Sequence, residues 1–189
     1  MKLCFVTVGA TASFEKLLQV VFDESFFRVL ASYQYTHLAV QFGVGGQAIW
    51  DEFITSNPLG SEGLHGIVAY AFDFKPSLDI YYGLAMWNPL RDQELGLVIS
   101  HAGTGSILEA IRSGLPLIVV PNPDLADNHQ EELALQMQRA EYALMARVED
   151  VNTVIGTAEA RRSLNTPVFR QRQVNGTYPT FSDQLSCVD

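Results

Sequence analysis

Cations are scarce in this chain of 189 residues: 12 lysines and arginines face 21 aspartates and glutamates, and the formal charge is −9. Such a balance disfavours nucleic acid and anionic membrane surfaces as general partners. If a phosphate group is to be held, backbone amides must help. Cysteine is rarer still. Cys4 lies in an apolar segment and Cys187 near the C-terminus; there is neither a disulfide framework nor a CxxC metal spacing, which fits a reducing compartment. No run approaches the ~18 apolar residues of a membrane span. The apolar start, Met1 to Val8, is too brief for a signal peptide before Gly9 ends it. Gly-Lys-Ser/Thr does not occur, which removes a P-loop. Asp-x-Asp does not occur either, so a metal on a diphosphate is not indicated.

What is present is a globular composition, 48% apolar and 17% charged, on a chain long enough for one domain with a real core. Strand and helix patterns alternate. Strands are expected at 3–8, 37–42, 66–72, 97–100 and 117–120, with a short one at 142–146. Helices are expected over 14–33, with a break near Asp23-Glu24-Ser25, and at 49–55, 78–86, 106–113, 128–140 and 151–164. Short, continuously apolar strands separated by helices predict an α/β fold: a Rossmann-like parallel sheet with helices on both faces. Ligands then belong beyond the carboxyl ends of the strands. The domain is expected to span 1–164. Residues 165–189 are polar, with Pro167, Gly176 and Pro179, and read as a tail. The sequon Asn175-Gly176-Thr177 carries no weight without a signal peptide.

The segment His101-Ala-Gly-Thr-Gly-Ser-Ile-Leu-Glu109 follows a predicted strand. A strand, Gly-x-Gly and a helix start present free amides and the positive end of a helix dipole. Gly103 and Gly105 would let a phosphate approach those amides. Thr104, Ser106 and His101 add donors. Glu109, about one turn after Ser106, could accept from two ribose hydroxyls. Ser106-x-x-Glu109 is also a capping-box pattern, and that alternative is open at this point; it gives no reason for His101 or the two glycines. The dinucleotide fingerprint G-x-G-x-x-G/A matches at Gly43 to Ala48, but after the second strand rather than the first, and a flexible Gly-rich loop is the better reading. A second constellation, Asp127-Asn128-His129-Gln130, opens a helix after the fifth strand. One of these residues would suffice for an N-cap; four consecutive hydrogen-bonding side chains suit a sugar.

His101 to Glu109 resembles the donor-site signature of GT-B glycosyltransferases, His-x-Gly-x-x-Ser-x-x-Glu. More closely, the chain is similar to the family of catalytic subunits of the UDP-GlcNAc transferase that extends GlcNAc-diphospho-dolichol. The shared pieces are FVTVGAT at 5–11, QFG at 41–43, FDF at 72–74, LVISHAGTGSILEA and DNHQ, in family order through about residue 140. The resemblance implies that His101, Gly103, Thr104, Gly105 and Ser106 hold a diphosphate and that Glu109 binds the ribose. It implies that Asp127, Asn128, His129 and Gln130 read the GlcNAc hydroxyls. Backbone near Phe72, Asp73 and Phe74 would meet the uracil, and Gly9 and Thr11 would border the phosphates, with the 43–46 loop closing over the site. The family usually has a Thr near Ala10, which loosens the reading of that loop. The resemblance further implies the UDP-GlcNAc-binding half of a split, inverting enzyme that needs no cofactor. A membrane-anchored partner subunit would carry the acceptor half of the cleft and recruit this chain to the cytosolic face of the endoplasmic reticulum. The helix over 151–164, with Val151, Val154, Ile155 and Ala158 at helical spacing, is then a candidate docking element, and the general base is unassigned.

Overall fold

The computed structural model describes residues 1–58, 64–125 and 128–163. The 165–189 tail, Cys187 and Asp127 lie outside the described residues.

Six strands form one parallel sheet: β1 (Leu3–Thr7), β2 (His37–Gln41), β3 (Val68–Phe72), β4 (Leu97–His101), β5 (Leu117–Val120) and β6 (Leu144–Met145), in the order β3-β2-β1-β4-β5-β6. β1, β4 and β5 are covered on both faces, and their residues are buried almost without interruption. That double burial is why these strands read as continuous apolar runs. Among the described residues the α-helices are α1 (Glu15–Val21), α2 (Glu24–Ser32), α3 (Gln47–Ser56), α4 (Asp79–Ala85), α5 (Thr104–Arg112), α6 (His129–Arg139) and α7 (Val151–Ser163). One core layer joins the sheet to α1, α2, α3 and α7, and the other joins it to α4, α5 and α6. No helix among the described residues is long and apolar enough to cross a membrane.

The expected helix over 14–33 is two. Asp23 ends the run and caps α2, its carboxylate accepting from the Ser25 amide at 2.9 Å. β3 starts at Val68 rather than Gly66, because His65 and Gly66 turn the chain with positive φ. α5 starts at Thr104, two residues before the expected Ser106.

The stripe on α7 does not form a docking face. Val151, Ile155 and Ala158 are buried in the protein's own core, and Val154 packs against it. Burying side chains the size of Val151 and Ile155 contributes about 1.5–3 kcal/mol each. The polar side of α7 is anchored too. Lys2 and Glu159 form an ion pair at 3.1 Å with little exposure. The Tyr35 hydroxyl donates to Glu159 at 2.6 Å, and Arg162 donates to the carbonyls of Leu95 and Gly96, each at 2.7 Å.

The 43–46 loop is packed at its ends, Gly43 and Gly46, while Val44 and Gly45 are exposed. A Cβ at Gly43 would collide with the Gly9 carbonyl, and one at Gly46 would lie 2.6 Å from the Phe42 side chain and 2.8 Å from Leu18. These glycines permit close approach of the β2 loop to the β1 loop and the core.

Candidate functional site

The strand order reverses between β1 and β4. That is the topological switch point, where the loops leaving the two strands diverge and open a crevice. β1 and β4 pair in register, Thr7 beside Ser100, so the loop holding Gly9 and the His101–Gly103 turn leave the sheet side by side. The fingerprint at Gly43 follows β2, one strand away from the crevice, which removes the seat a dinucleotide needs there.

His101 ends β4 half-buried. Its Nδ1 lies 3.3 Å from the Thr7 carbonyl oxygen. A Cβ at Gly9 would fall 2.7 Å from His101 Nε2, and one at Gly103 closer still. The imidazole therefore fills the space that two side chains would otherwise take. Gly103 is needed first for this ring, where the sequence assigned it to phosphate approach. At Gly105 the space is open, since a Cβ there would meet nothing within 4 Å. Burial lowers the pKa of His101 below the ordinary imidazole value, and the Thr7 carbonyl opposes the shift.

Gly103 is the N-cap of α5, extended at φ −87° and ψ 125°, with no side-chain cap. The first backbone bond of the helix runs from the Ile107 amide to the Gly103 carbonyl at 3.1 Å. Ser106 is thus the third helical residue, and the capping-box alternative fails. The amides of the first turn point out of the helix end, beside Nε2 of His101, and the helix dipole favours an anion there. Thr104 and Gly105 are exposed, while Ser106 and Glu109 are half-buried. Glu109 lies 3.7 Å from Arg112. From the neighbouring α4, the Tyr82 hydroxyl donates to the Ser106 carbonyl at 3.2 Å. Burial pushes the Tyr82 pKa up to about 12, which keeps that donor protonated.

Two polar residues inside strands escaped the sequence reading. Thr7 Oγ1 donates to Gln41 Oε1 at 2.5 Å, with both residues buried, and the Gly9 amide reaches Thr7 Oγ1 at 3.4 Å. This pair braces the strand ends beneath Gly9. A signal was available: Thr7 and Gln41 interrupt otherwise apolar runs.

The loop after β5 is organised by Asn122, also without an assigned role in the sequence. Its Nδ2 donates to the Ser13 carbonyl at 2.9 Å, its Oδ1 accepts from the Asp124 amide at 3.1 Å, and its own amide donates to Gln130 Oε1 at 2.9 Å. Gln130 therefore turns one end of its amide to the protein and leaves Nε2 for other partners. Asn128 is the N-cap of α6 without a side-chain cap bond, so the capping explanation does not account for it. Asn128 and His129 are exposed, and His129 stands 4.0 Å from Glu132. A cavity of about 610 Å³ opens beyond β5 and β6, with Asn122, Asn128, Gln130 and Arg147 in its lining. Neither His101 nor α5 lines it.

Phe72 ends β3 with its ring buried and stacked on Tyr81 at 4.5 Å between centroids. Its carbonyl accepts from the Phe42 amide at 2.9 Å. Asp73 and Phe74 are exposed at the head of the segment leading into α4, the helix that reaches Ser106. Thr11 is exposed in the loop after β1. The structure thus brings Gly9, His101, Gly103, Thr104, Gly105 and Ser106 together at one crevice. It places Phe72–Phe74 toward one end of the sheet edge and Asn128–Gln130 toward the other.

The glycosyltransferase family 28 C-terminal domain matches residues 3–159. The UDP-N-acetylglucosamine transferase subunit ALG13 of Eremothecium gossypii is 34% identical over 181 residues, covering 90% of this chain and 88% of that protein. The subunit of the same name from Saccharomyces cerevisiae is 30% identical, with 82% of each chain covered. In Mus musculus the identity is 38% over 140 residues, but only 10% of that much longer protein is covered. Among solved structures, an NMR structure of ALG13 superposes with a TM-score of 0.58 at 26% identity, covering 97% of this chain and 94% of that one. The crystal structure of Acinetobacter baumannii MurG shares the fold, with a TM-score of 0.61 at 16% identity over 87% of this chain and 43% of that one. With its switch-point crevice and a match over most of its length, the chain belongs to the glycosyltransferase family 28 C-terminal-domain family.

Proposed function

We propose that this chain is the donor-binding, catalytic subunit of a two-subunit N-acetylglucosaminyltransferase. It transfers GlcNAc from UDP-GlcNAc to GlcNAc-diphospho-dolichol, with inversion at the anomeric carbon. The observation that carries the reading is the cradle of His101, Gly103 and the uncapped start of α5 at the β1–β4 switch point. Relatives named as UDP-N-acetylglucosamine transferase subunits support it.

In this reading the diphosphate rests on the amides of Thr104, Gly105 and Ser106, with the Ser106 and Thr104 hydroxyls and His101 as further donors. Gly9 and Thr11 border it. Glu109, half-buried one turn into α5, accepts from the ribose hydroxyls. The uracil lies toward Asp73 and Phe74, with Phe72 supplying backbone only. Asp127, Asn128, His129 and the free end of Gln130 read the sugar. As the glycosidic C–O bond breaks, its electron pair passes to the β-phosphate oxygen of the leaving UDP. Preorganised amides and His101 stabilise that charge. The acceptor and the general base are left to a partner subunit, membrane-anchored at the cytosolic face of the endoplasmic reticulum, which completes the cleft.

The test is GlcNAc transfer from UDP-GlcNAc to a diphospholipid-linked GlcNAc acceptor. The chain is assayed alone and with microsomes that contain the partner but lack the endogenous soluble subunit. Activity is expected only in the mixture. Glu109→Ala should lower kcat/KM about 10–100-fold, the worth of hydrogen bonds to a charged group. Full transfer by Glu109→Ala and His101→Ala would remove the enzymatic reading of these residues. Donor binding without transfer, with the partner shown to bind, would make the chain a non-catalytic nucleotide-sugar binder.

A further inference from the structure

The surroundings of His101 dictate where its proton sits. The Thr7 carbonyl, 3.3 Å from Nδ1, can only accept, so Nδ1 carries the hydrogen. In the neutral ring Nε2 is then a bare lone pair. Nε2 is also the atom on which a methyl at Gly9 or Gly103 would fall, so it occupies the gap between the two loops, at the N-terminal end of α5. In its neutral form the cradle thus places an acceptor among amide donors. A phosphate oxygen is an acceptor as well. The two repel unless Nε2 gains a proton.

Little around the ring favours that proton in the empty site. Among the described residues, burial works against it and the Thr7 carbonyl works for it. β1 brings the uncharged Thr7, itself tied to Gln41 on β2. α4 brings Tyr82, a phenol engaged with the Ser106 carbonyl. α5 brings Glu109, near Arg112. The β1 loop and α1 bring Glu15, which accepts from Ser13, and Lys16, paired with Asp124. A bound diphosphate diester is dianionic and would change that balance.

We infer that His101 holds the donor diphosphate as an imidazolium, so that binding of each UDP-GlcNAc takes up one proton. This rests on the donor-site reading above. Nδ1–H stays on Thr7, Nε2–H is made on binding, and the leaving UDP departs against a full positive charge rather than a neutral dipole. The cradle then acquires a cation only when its ligand is present, in a chain otherwise short of cations. Affinity is level below the free-state pKa, falls about tenfold per pH unit up to the bound-state pKa, and levels off above it.

The experiment uses the full chain and UDP-GlcNAc, a diester whose phosphates are both ionised from pH 5.5 to 8.5. Long-range ¹H–¹⁵N spectra of the free chain should show His101 protonated at Nδ1 and bare at Nε2, and titration with UDP-GlcNAc should protonate both nitrogens. Calorimetry at one pH in PIPES and in Tris should give an uptake of about one proton per site between the two pKa values. His101→Gln should bind more weakly, with no proton uptake and no pH slope over the same range. A protonated Nε2 in the free chain, or tight binding without proton uptake, would overturn the inference and leave the donor site standing. Absence of UDP-GlcNAc binding at every pH would overturn both. The wild-type spectra and calorimetry decide the matter even if the variant does not fold.

Discussion

At Gly103 a hydrogen in place of a methyl decides where an imidazole rests. The backbone there has φ −87°, open to any residue, so the cost of Gly103→Ala is steric: its Cβ falls on His101 Nε2. Overpacking of this kind costs about 1–3 kcal/mol; the variant should lose that stability in urea melts, and its donor affinity should fall with it. Gly9→Ala adds backbone strain to the same clash, because Gly9 sits at φ +81°. Gly105→Ala separates folding from binding. A methyl there meets nothing within 4 Å, and alanine favours the helix by about 0.5–1 kcal/mol. Stability should hold or rise while UDP-GlcNAc affinity drops. Unchanged affinity on calorimetry would mean that no ligand approaches this turn. Thr7→Val is the buried counterpart. It leaves Gln41 Oε1 without its donor, a loss of about 1–3 kcal/mol.

Elements show how narrow an apolar stripe can suffice when polar anchors assist. α7 buries Val151, Ile155 and Ala158, and its far end is pinned by Glu159 and Arg162 to the segments entering β1, β2 and β4. Removing one member of such a pair strands the other. Glu159→Ala should cost about 3–5 kcal/mol, because Lys2 keeps its buried charge without its counterion. Glu159→Gln, which retains an acceptor for Tyr35, should cost less in the same melts. The spacing of the stripe was legible in the sequence, but spacing cannot say whether the surface it meets belongs to the same chain. α5 makes a similar point. Ser106 and Glu109 have the separation of a capping box, and only the φ and ψ of Gly103 show that the helix has already begun two residues earlier.

For the whole molecule, two histidines couple folding to pH. Burial, with the N-terminal amine in the case of His37, holds both His37 and His101 below the ordinary imidazole value. Unfolded, each binds a proton near pH 6.5. The stability tied to their neutral forms is therefore complete above about pH 6.5 and is lost as pH falls from there through the folded-state values. Thermal melts from pH 8 to 5 should show that decline, and His37→Gln should make it shallower. Asp23, held low by the Ser25 hydroxyl and amide, adds its loss only near pH 4 and below.

The sequence by itself determined the layers and the edge. Apolar runs such as Leu3–Val6 and Leu97–Ile99 demand burial on both faces, so a parallel sheet between helices follows from local pattern. The carboxyl ends of those strands collect Gly9, His101 and Pro121, so the side of the sheet that carries the candidate site could be read from the sequence. Tertiary structure decided what each residue there is for. Local pattern carries no information on which strands become neighbours; once β1 lies beside β4, Gly9 and Gly103 become the walls of a slot for His101, and the Gly43 fingerprint falls outside the crevice. In the same way Asn122 and Gln130 meet only because α6 returns over the loop after β5. Contacts between segments distant in sequence depend on loop closure and packing that no short window encodes, and in this protein those contacts decide where His101 and Gln130 stand.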